Sequence, residues 1–332
     1  MAARARMRAA VLPAALLALV LACAPARSAE ESAGTRAAAF LSSGNGPAVL
    51  GMGGAAIGGG TGLQAASWNV AALARGSALE GAFAHTALPS QGTQDWAAVT
   101  GRLRGGATRW AVNAAFRDEG GIDGRDAHNL PTGEVSANSI VLGLQLAHPL
   151  GQRLALGAGA RVVSEGIGDS RGSGLAFDAG AQANFGMLGV GVSGTGFGGG
   201  MRWQGQRWRM PASLGAGLAL AHERSGLTLA FDVVSPANYF HSVRAGAQWN
   251  WNDRLALRGG YRAELGADAG EPLTGPSFGL GARTGPAWVD YALVVAGDGV
   301  TSHRFALSLR SVARMPGAVA PAVIGPQPDP SR

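Results

Sequence analysis

Charged side chains alternate with apolar or small ones in several short segments downstream of residue 160. At this spacing the charges share one face of a β-strand, because successive side chains of a strand point to opposite sides. Both positive and negative charges are present. This mixture favours ion pairs that hold another part of the chain, rather than a path that is selective for one kind of ion. The residues are Arg161, Asp178, Asp232, Arg244, Arg258, Arg262, Glu264, Asp290 and Arg304.

Other residues that could serve catalysis or metal binding lack the spacing that such chemistry needs. The six histidines are scattered, and none pair at the i, i+4 helical spacing of a zinc site. No serine of a Gly-x-Ser-x-Gly elbow has catalytic partners that the sequence places. Asp118, Glu119, Asp123 and Asp126 lack the full EF-hand pattern and predict a solvated acidic loop. The sequence therefore predicts no catalytic, cofactor or metal site, and no enzyme.

One glycine motif has the spacing of a dinucleotide-binding fingerprint. Gly51, Gly53 and Ala56 match its pattern, which requires a strand before it and a helix after it. Residues 58–60 are all glycine and would interrupt that helix at once. No βαβ unit follows, so the sequence argues against a dinucleotide site.

Strand-length segments position the charged residues. In residues 227–233 the odd positions are apolar, whereas Thr228, Ala230 and Asp232 lie on the other face. Period-2 alternation is typical of a barrel wall, whose side chains face lipid and lumen in turn. We predict an all-β fold, a transmembrane antiparallel β-barrel of about fourteen strands over residues 79–311. The predicted strands are residues 79–87, 95–104, 108–117, 135–148, 153–166, 173–185, 187–195, 211–222, 226–235, 240–251, 254–264, 275–284, 287–296 and 301–311.

Short and long connections alternate along most of this region. In bacterial outer-membrane barrels the short turns lie in the periplasm and the long loops outside the cell. The pattern therefore predicts the outer membrane, with both ends of the barrel chain in the periplasm. Long connections are predicted at residues 118–134, 196–210, 236–239 and 265–274, and short turns at 105–106, 148–151, 186, 223–225, 252–253 and 285–286.

Aromatic residues near the ends of the predicted strands fit the interfacial girdles of membrane barrels. Lipid of the outer membrane is therefore an expected partner. The residues are Trp96, Trp110, Tyr239, Phe240, Trp249, Trp251, Tyr261 and Trp288.

The composition is unlike that of a soluble enzyme. Of 332 residues, 54 are Gly, 47% are hydrophobic and only 14% are charged, against about 25% charged in an average soluble domain. Beyond the N-terminus no uncharged apolar run reaches about 18 residues, the length of a spanning helix. The net charge of +6 comes with no basic block, so no nucleic-acid partner is predicted.

Both ends of the chain predict processing or disorder. Residues 1–26 have three arginines, an apolar core and an Ala-Pro-Ala cleavage site, as a signal peptide does. A lipoprotein signal is the alternative, with residues 20–23 as a loose lipobox and Cys23 acylated. Residues 27–78 are predicted to form an N-terminal plug. The Pro-rich residues 312–332 are predicted to form a disordered tail.

The stretch of residues 34–75 is rich in Gly and Ala and nearly free of charge. Such a backbone suits a tight space, because glycine has no side chain. Gly-Met-Gly-Gly at 51–54 and Trp-Asn-Val-Ala-Ala-Leu-Ala at 68–74 resemble the N-terminal motifs of the PorV/PorQ family of outer-membrane proteins and, more distantly, of FadL-type fatty-acid transporters. Val70 and Ala72 stand where that family has Pro and Gly. The resemblance implies a plug or hatch built on Gly51, Met52, Gly53, Gly54, Trp68, Asn69, Ala71 and Leu73.

The predicted loop at residues 196–210 combines arginine and tryptophan with three consecutive glycines. Both residue types are enriched at binding hot spots. The loop therefore predicts contact with lipopolysaccharide phosphates or a protein partner, with inward folding or interfacial anchoring as alternatives. The residues are Arg202, Trp203, Arg207, Trp208 and Arg209.

Three functions fit these features. The PorV/PorQ resemblance implies a non-enzymatic role in protein export and surface attachment by a type IX-like secretion system, with exported proteins or secretion components as partners. FadL-like uptake of hydrophobic small molecules is the alternative, and a purely structural barrel is a third possibility. Uptake requires apolar residues on the lumen face, where the sequence shows mostly Gly, Ala and charges. It also requires a lateral opening, for which strands weakened by glycine at residues 186–200 are candidates.

Overall fold

The computed structural model describes residues 37–237, 240–266 and 273–311. The predicted signal peptide (1–26) and the predicted disordered tail (312–332) lie outside the described residues, as does Tyr239 of the predicted girdle. Among the described residues, no helix has the length and apolar character needed to cross a membrane.

A single antiparallel sheet of fifteen strands dominates the fold. Fourteen of them close into a barrel in which β1 pairs with both β2 and β17; the fifteenth, β10, is a short strand at the rim. The predicted number of barrel strands is confirmed. The strands are β1 (Glu80–Ala87), β2 (Thr93–Arg102), β3 (Arg109–Asp118), β4 (Ile122–Arg125), β5 (Pro131–Val135), β6 (Ala137–Leu150), β7 (Leu154–Ile167), β8 (Ser170–Phe185), β9 (Leu188–Trp203), β10 (Gln206–Trp208), β11 (Ser213–His222), β12 (Leu227–Pro236), β13 (His241–Trp251), β14 (Leu255–Leu265), β15 (Gly275–Thr284), β16 (Ala287–Val295) and β17 (Thr301–Arg310).

The alternation of side chains along each strand separates a lipid face from a lumen face. In β17, Phe305, Leu307 and Leu309 are exposed on the outside, while Arg304 and Ser308 are buried inside. Exposed leucine, valine and phenylalanine form the outward face of most strands, which is the arrangement that a bilayer stabilises. The chain is an outer-membrane β-barrel.

The connections have different lengths at the two ends of the barrel. The end with consistently short turns, here called the turn side, holds the β6–β7, β8–β9 and β15–β16 connections. The opposite end, here called the loop side, holds most of the longer ones. By the rule for bacterial barrels the turn side faces the periplasm and the loop side faces the exterior.

Two predicted loops are partly wrong, and one gap between predicted strands is shorter than predicted. Residues 196–210 are mainly the continuation of β9, a tight turn and β10, because Gly196 and Gly200 adopt φ of 72° and 84° and let a bulged strand continue. The β7–β8 connection is only Gly168 and Asp169, because β8 begins three residues earlier and β7 ends one residue later than predicted. Residues 118–134 contain most of the small β4–β5 hairpin.

Residues 37–79, here called the N-terminal segment, precede β1, and most of them lie within the barrel. The segment contains only short helices, because its many glycines and small residues favour close packing over long regular elements. They are the 3₁₀ helix Ala39–Ser43, the α-helices Pro47–Leu50 and Gly62–Ala65, and the 3₁₀ helix Val70–Arg75.

Candidate functional site in the barrel lumen

The N-terminal segment contacts every strand of the barrel. Some wall residues donate or accept hydrogen bonds, and others are glycines against which the segment backbone lies directly. The contacting wall residues include Glu80 (β1), Gln94 (β2), Arg109 (β3), Gln145 (β6), Gly157 (β7), Gly180 (β8), Gly191 (β9), Gly217 (β11), Asp232 (β12), Gly246 (β13), Gly260 (β14), Ser277 (β15), Asp290 (β16) and Arg304 (β17).

All eight residues of the two sequence motifs are buried in this position. Trp68 is 8% exposed and packs in an apolar cluster with Leu50 and Ile57. Ala71 and Leu73, at 0% and 1% exposure, are in the last short helix of the segment. The remaining motif residues, Gly51, Met52, Gly53 and Gly54, form a turn against strands β13 to β15.

Glycines of the wall make room for the backbone of the segment. A Cβ atom at Gly246 would lie 2.3 Å from the Met52 carbonyl oxygen, and one at Gly260 only 2.1 Å from the Gly53 nitrogen. Any larger residue at either position would displace either the N-terminal segment or the wall strand, because real Cβ atoms do not approach backbone atoms so closely.

The same explanation replaces the prediction that glycines at residues 186–200 weaken strand pairing. Residues 188–195 of β9 are paired with β8 on one side and β11 on the other, interrupted only by a bulge near Thr195. Gly189 and Gly191 instead accommodate the carbonyl oxygens of Gly58 and Ile57. These glycines serve close approach of the segment.

Asn69 joins the segment to two wall strands and is fully buried. Its Nδ2 donates to the carbonyl oxygens of Ile57 (3.0 Å), Ala181 (3.1 Å) and Val192 (3.3 Å). Its Oδ1 accepts from Ala71 N at 3.1 Å and so caps the following 3₁₀ helix. A side chain with both a donor and an acceptor is therefore needed here.

Asp232 receives the segment on β12, two strands further around the wall from β9. Its Oδ2 accepts from the backbone nitrogens of Ala56 at 2.7 Å and Ile57 at 2.9 Å, and the side chain is fully buried. Charge-assisted hydrogen bonds of this kind are about twice as strong as neutral ones. The carboxylate thus holds the centre of the segment against β12.

A third connection runs through Gln64, on the helix Gly62–Ala65. Its Nε2 donates to Asp290 Oδ2 at 2.8 Å, and its Oε1 accepts from Ala48 N at 2.9 Å. Asp290 also pairs with Arg258 Nη1 at 2.8 Å, and Arg258 Nε donates to Gln248 at 2.6 Å. The ion pair therefore positions the carboxylate that binds the segment.

The other charges predicted to face the lumen lie towards the loop side. Arg262 Nε pairs with Glu264 Oε1 at 2.6 Å. Arg304 donates to the Gly44 carbonyl oxygen of the segment at 3.3 Å. Arg244 is buried and donates to a serine hydroxyl two residues earlier at 3.1 Å.

Arg161 and Asp178 stabilise the irregular part of the wall. Their side chains pair at 2.6 Å, and Asp178 Oδ1 also accepts from Gly196 N at 2.9 Å. The second bond satisfies a backbone donor at the bulge between β8 and β9, which would otherwise be buried without a partner.

Neutral amides were missed by the sequence analysis, which considered charged side chains. Gln182 Nε2 donates to the carbonyl oxygens of Ile57 and Gly60, both at 3.1 Å. Gln94 Nε2 donates to Asn45 Oδ1 at 2.5 Å. The alternation along the strands could have identified these amides, because they occupy the same alternate positions as the charged residues that face the lumen.

We expect Asp232→Asn to weaken the hold on residues 56 and 57 without unfolding the barrel. The neutral oxygen accepts more weakly, and the new amide would stand where Asp232 Oδ1 has no hydrogen-bond partner among the described residues. A loss of about 1–2 kcal/mol follows. It would appear as about tenfold faster hydrogen exchange at Ala56 and Ile57. Asp95→Asn, on a half-exposed side chain of β2, is the control, and equal exchange in both variants would contradict the assignment.

An apolar cluster lies on the lumen face near the loop side. This corrects the expectation that the lumen carries mostly Gly, Ala and charges. Phe40 and Leu41 of the segment pack against it. The sequence hid much of the cluster because Met201 and Met210 lie in a predicted loop and Trp96 lies near the end of a predicted strand. The wall members are Trp96, predicted for the girdle, with Val141, Val163, Met201 and Met210, all at most 4% exposed.

Trp288 is a second residue of the predicted girdle that faces inward. It lines a cavity of about 520 Å³ near the turn side, which is bordered by the segment and by Gln64, Arg258 and Asp290. A much smaller cavity of about 30 Å³ lies by Phe40, close to the Arg161–Asp178 pair. Trp249, Trp251 and Tyr261 are exposed on the outer wall as predicted.

The arginines and tryptophans of the predicted partner loop lie on two faces of the β9–β10 hairpin. Arg202 and Arg207 are cross-strand neighbours on the outward face. Trp203 and Trp208 are on the inward face, where Trp208 pairs with Met201 and Trp203 packs against the apolar cluster. Arg209 follows β10 and is exposed.

The described part of the chain also contains residues of the types that bind metals or catalyse reactions. No group of three or more His, Cys, Asp or Glu side chains there could hold a metal ion. Ser277, within Gly-Pro-Ser-Phe-Gly, lies in a strand, where its Oγ accepts from Gly53 N at 2.9 Å. Its position is that of a wall contact.

These features define an outer-membrane β-barrel with an N-terminal segment in its lumen. No protein-family model matches the chain, and no curated protein matches its sequence. Solved structures share the fold. A TodX mutant described as a monoaromatic hydrocarbon channel aligns with a TM-score of 0.60 at 13% identity over 80% of this chain and 97% of that one. The Pseudomonas putida toluene transporter TodX aligns with a TM-score of 0.57 at 14% identity, over 80% of this chain and 96% of that one. A Pseudomonas aeruginosa FadL homologue aligns with a TM-score of 0.50 at 12% identity, over 80% of this chain and 97% of that one.

Proposed function

We propose that the protein is a passage for small hydrophobic molecules across the outer membrane, with the N-terminal segment as its plug. The apolar cluster of Met201, Met210, Trp96 and their neighbours carries the proposal. It lines the lumen on the side that faces the exterior, and apolar walls with few polar groups are typical of sites for hydrophobic ligands. The fold is that of barrels described as a hydrocarbon channel and a toluene transporter, which supports the same choice.

The plug would have to shift for passage. Its backbone rests on wall glycines and is tied by Asn69, Asp232 and Gln64. A ligand that reaches the apolar cluster contacts Phe40 and Leu41 of the segment. Binding there would favour whichever position of the segment contacts the ligand better.

Protein export is the competing hypothesis, from the PorV/PorQ part of the sequence resemblance. Two of the solved structures compared above are described as a hydrocarbon channel and a toluene transporter, and none of the three is described as a secretion component. Mass spectrometry of what co-purifies with the tagged protein from solubilised outer membrane separates the hypotheses. Exported proteins that share a C-terminal domain, or a very large translocon barrel, would favour export. A barrel recovered alone with bound hydrophobic compound would favour uptake.

Met201→Gln is expected to reduce uptake of a labelled aromatic hydrocarbon by about tenfold, because burying an unpaired amide in the apolar cluster costs about 1–3 kcal/mol and disfavours an apolar ligand. Initial uptake rates in cells that lack other channels for hydrophobic compounds provide the measurement. Leu130→Gln, at 61% exposure in the β4–β5 connection, is the matched control.

Equal uptake by both variants and the unchanged protein would contradict a hydrophobic route through the cluster. Uptake no faster than in cells without the protein would instead favour the structural-barrel hypothesis. Heat-modifiable migration on gels verifies that each variant forms the barrel.

A further inference from the structure

Four arginines are exposed around the loop-side end of β8, β9 and β10. We name Arg171, Arg202, Arg207 and Arg209 the arginine patch. Arg202 lies directly between Ser173 of β8 and Arg207 of β10 in the strand register. These three outward side chains therefore form one row across the sheet, and Arg171 belongs to the next row towards the exterior.

The direct pairing of Arg202 with Arg207 opposes stability. Like charges directly across a strand pair repel each other. Within residues 37–237, 240–266 and 273–311, none of the ion pairs involves a patch arginine. Arg207 Nε donates to the Gly199 carbonyl oxygen, and its Nη2 lies beside Gly199, 2.7 Å from where a Cβ of that residue would stand. The arginine patch therefore concentrates positive charge, and a bound anion would reduce the repulsion between its arginines.

The position of the arginine patch relative to the lipid-facing side chains indicates which kind of anion it binds. One row nearer the membrane centre, Leu142, Val162 and Leu175 are 57%, 53% and 44% exposed on the outside. The row of the two arginines begins with Ile140, at 42% exposure, and continues through serines to Arg202 and Arg207. The outer wall therefore changes from apolar to basic within one row, where a bilayer changes from acyl chains to head groups.

We propose that the arginine patch binds the phosphate groups of lipopolysaccharide in the outer leaflet. Guanidinium groups bind phosphate through two parallel hydrogen bonds, and they are less strongly hydrated than ammonium groups. Basic residues at an anionic membrane surface each add to the attraction for that surface. A phosphate between Arg202 and Arg207 would convert their repulsion into two attractive contacts. The apolar row directly below would contact the acyl chains of the same lipid.

Equilibrium binding of bisphosphorylated lipid A to the full-length barrel in mixed micelles tests the proposal. The Arg202→Gln/Arg207→Gln variant is expected to bind lipid A at least about tenfold more weakly, since two charge-assisted contacts are lost. Arg202→Lys/Arg207→Lys should recover part of that loss, because it keeps the charge without the fork geometry. Arg224→Gln/Arg254→Gln makes the same change of charge on exposed side chains of the turn side and should bind as the unchanged protein does.

Dephosphorylated lipid A identifies the group that is recognised. It should bind the unchanged protein about as weakly as lipid A binds the double glutamine variant. Equal affinity for the two lipids, or equal affinity of the patch and control variants, would overturn the proposal. Loss of a co-purifying protein from the patch variant, with lipid A affinity unchanged, would also overturn it and assign the patch to a protein partner.

Discussion

Gly53→Val is expected to turn a closed barrel into a conducting one. Gly53 has φ of 68°, and a Cβ there would lie 2.7 Å from the Tyr261 carbonyl oxygen and 2.8 Å from that of Ala245. These two residues are directly paired in the hydrogen-bonded wall, so the segment must move. The left-handed conformation alone costs about 1–2 kcal/mol for a side chain with a Cβ. A total change of about 3 kcal/mol would raise the open fraction roughly a hundredfold.

Single-channel conductance in planar bilayers measures this effect. Gly105→Val is the matched control, because Gly105 has φ of 72° but no atom within 4 Å of an added Cβ. It carries the same conformational strain in a turn-side connection. If Gly53→Val assembled and stayed as closed as Gly105→Val, the hypothesis that the N-terminal segment closes the barrel would be wrong.

Asn69→Asp is expected to release the segment from β8 and β9 with almost no change of side-chain volume. The new carboxylate would place an oxygen where Asn69 Nδ2 now lies within 3.0 Å, 3.1 Å and 3.3 Å of three carbonyl oxygens. An uncompensated buried charge destabilises a site by about 3–5 kcal/mol. Hydrogen exchange at Ala71, whose nitrogen donates to Asn69 Oδ1, should accelerate by more than about a hundredfold.

Lower pH should lessen this defect, because a protonated carboxyl group can again donate one hydrogen bond. Asn129→Asp provides the same chemical change on an exposed side chain of the β4–β5 connection and should leave the segment unaffected. Exchange at Ala71 equal to that of the unchanged protein would contradict the role assigned to Asn69. A pH-independent acceleration would contradict its electrostatic cause.

Much of the wall could be predicted from the sequence because alternation is a local property. Which residues of β12 and β17 share a face follows from a period of two, and Asp232 and Arg304, predicted to face the lumen, bind the N-terminal segment. The number of strands follows from the same pattern and from the spacing of turns. Glycine misled the prediction at residues 196–210, since a positive φ is compatible with a bulged strand as well as with a loop.

The lumen was less predictable. The sequence located the buried motifs at residues 51–54 and 68–74, but it could not tell which walls they meet. Met201 and Trp96 appeared to be loop and girdle residues, although both lie in the apolar cluster. Arg202 and Trp203 appeared to share one surface, although adjacent strand residues point to opposite sides.

Sequence alone thus determined the class of the protein, its strand pattern and the presence of a small-residue segment ahead of the barrel, because each depends on neighbours along the chain. Tertiary structure alone decided that Asn69 reaches Ala181 and Val192, residues 112 and 123 positions away. It likewise decided that Ala56 meets Asp232 across 176 positions. Such contacts depend on strand register and on closure of the barrel, which bring distant residues together across the lumen.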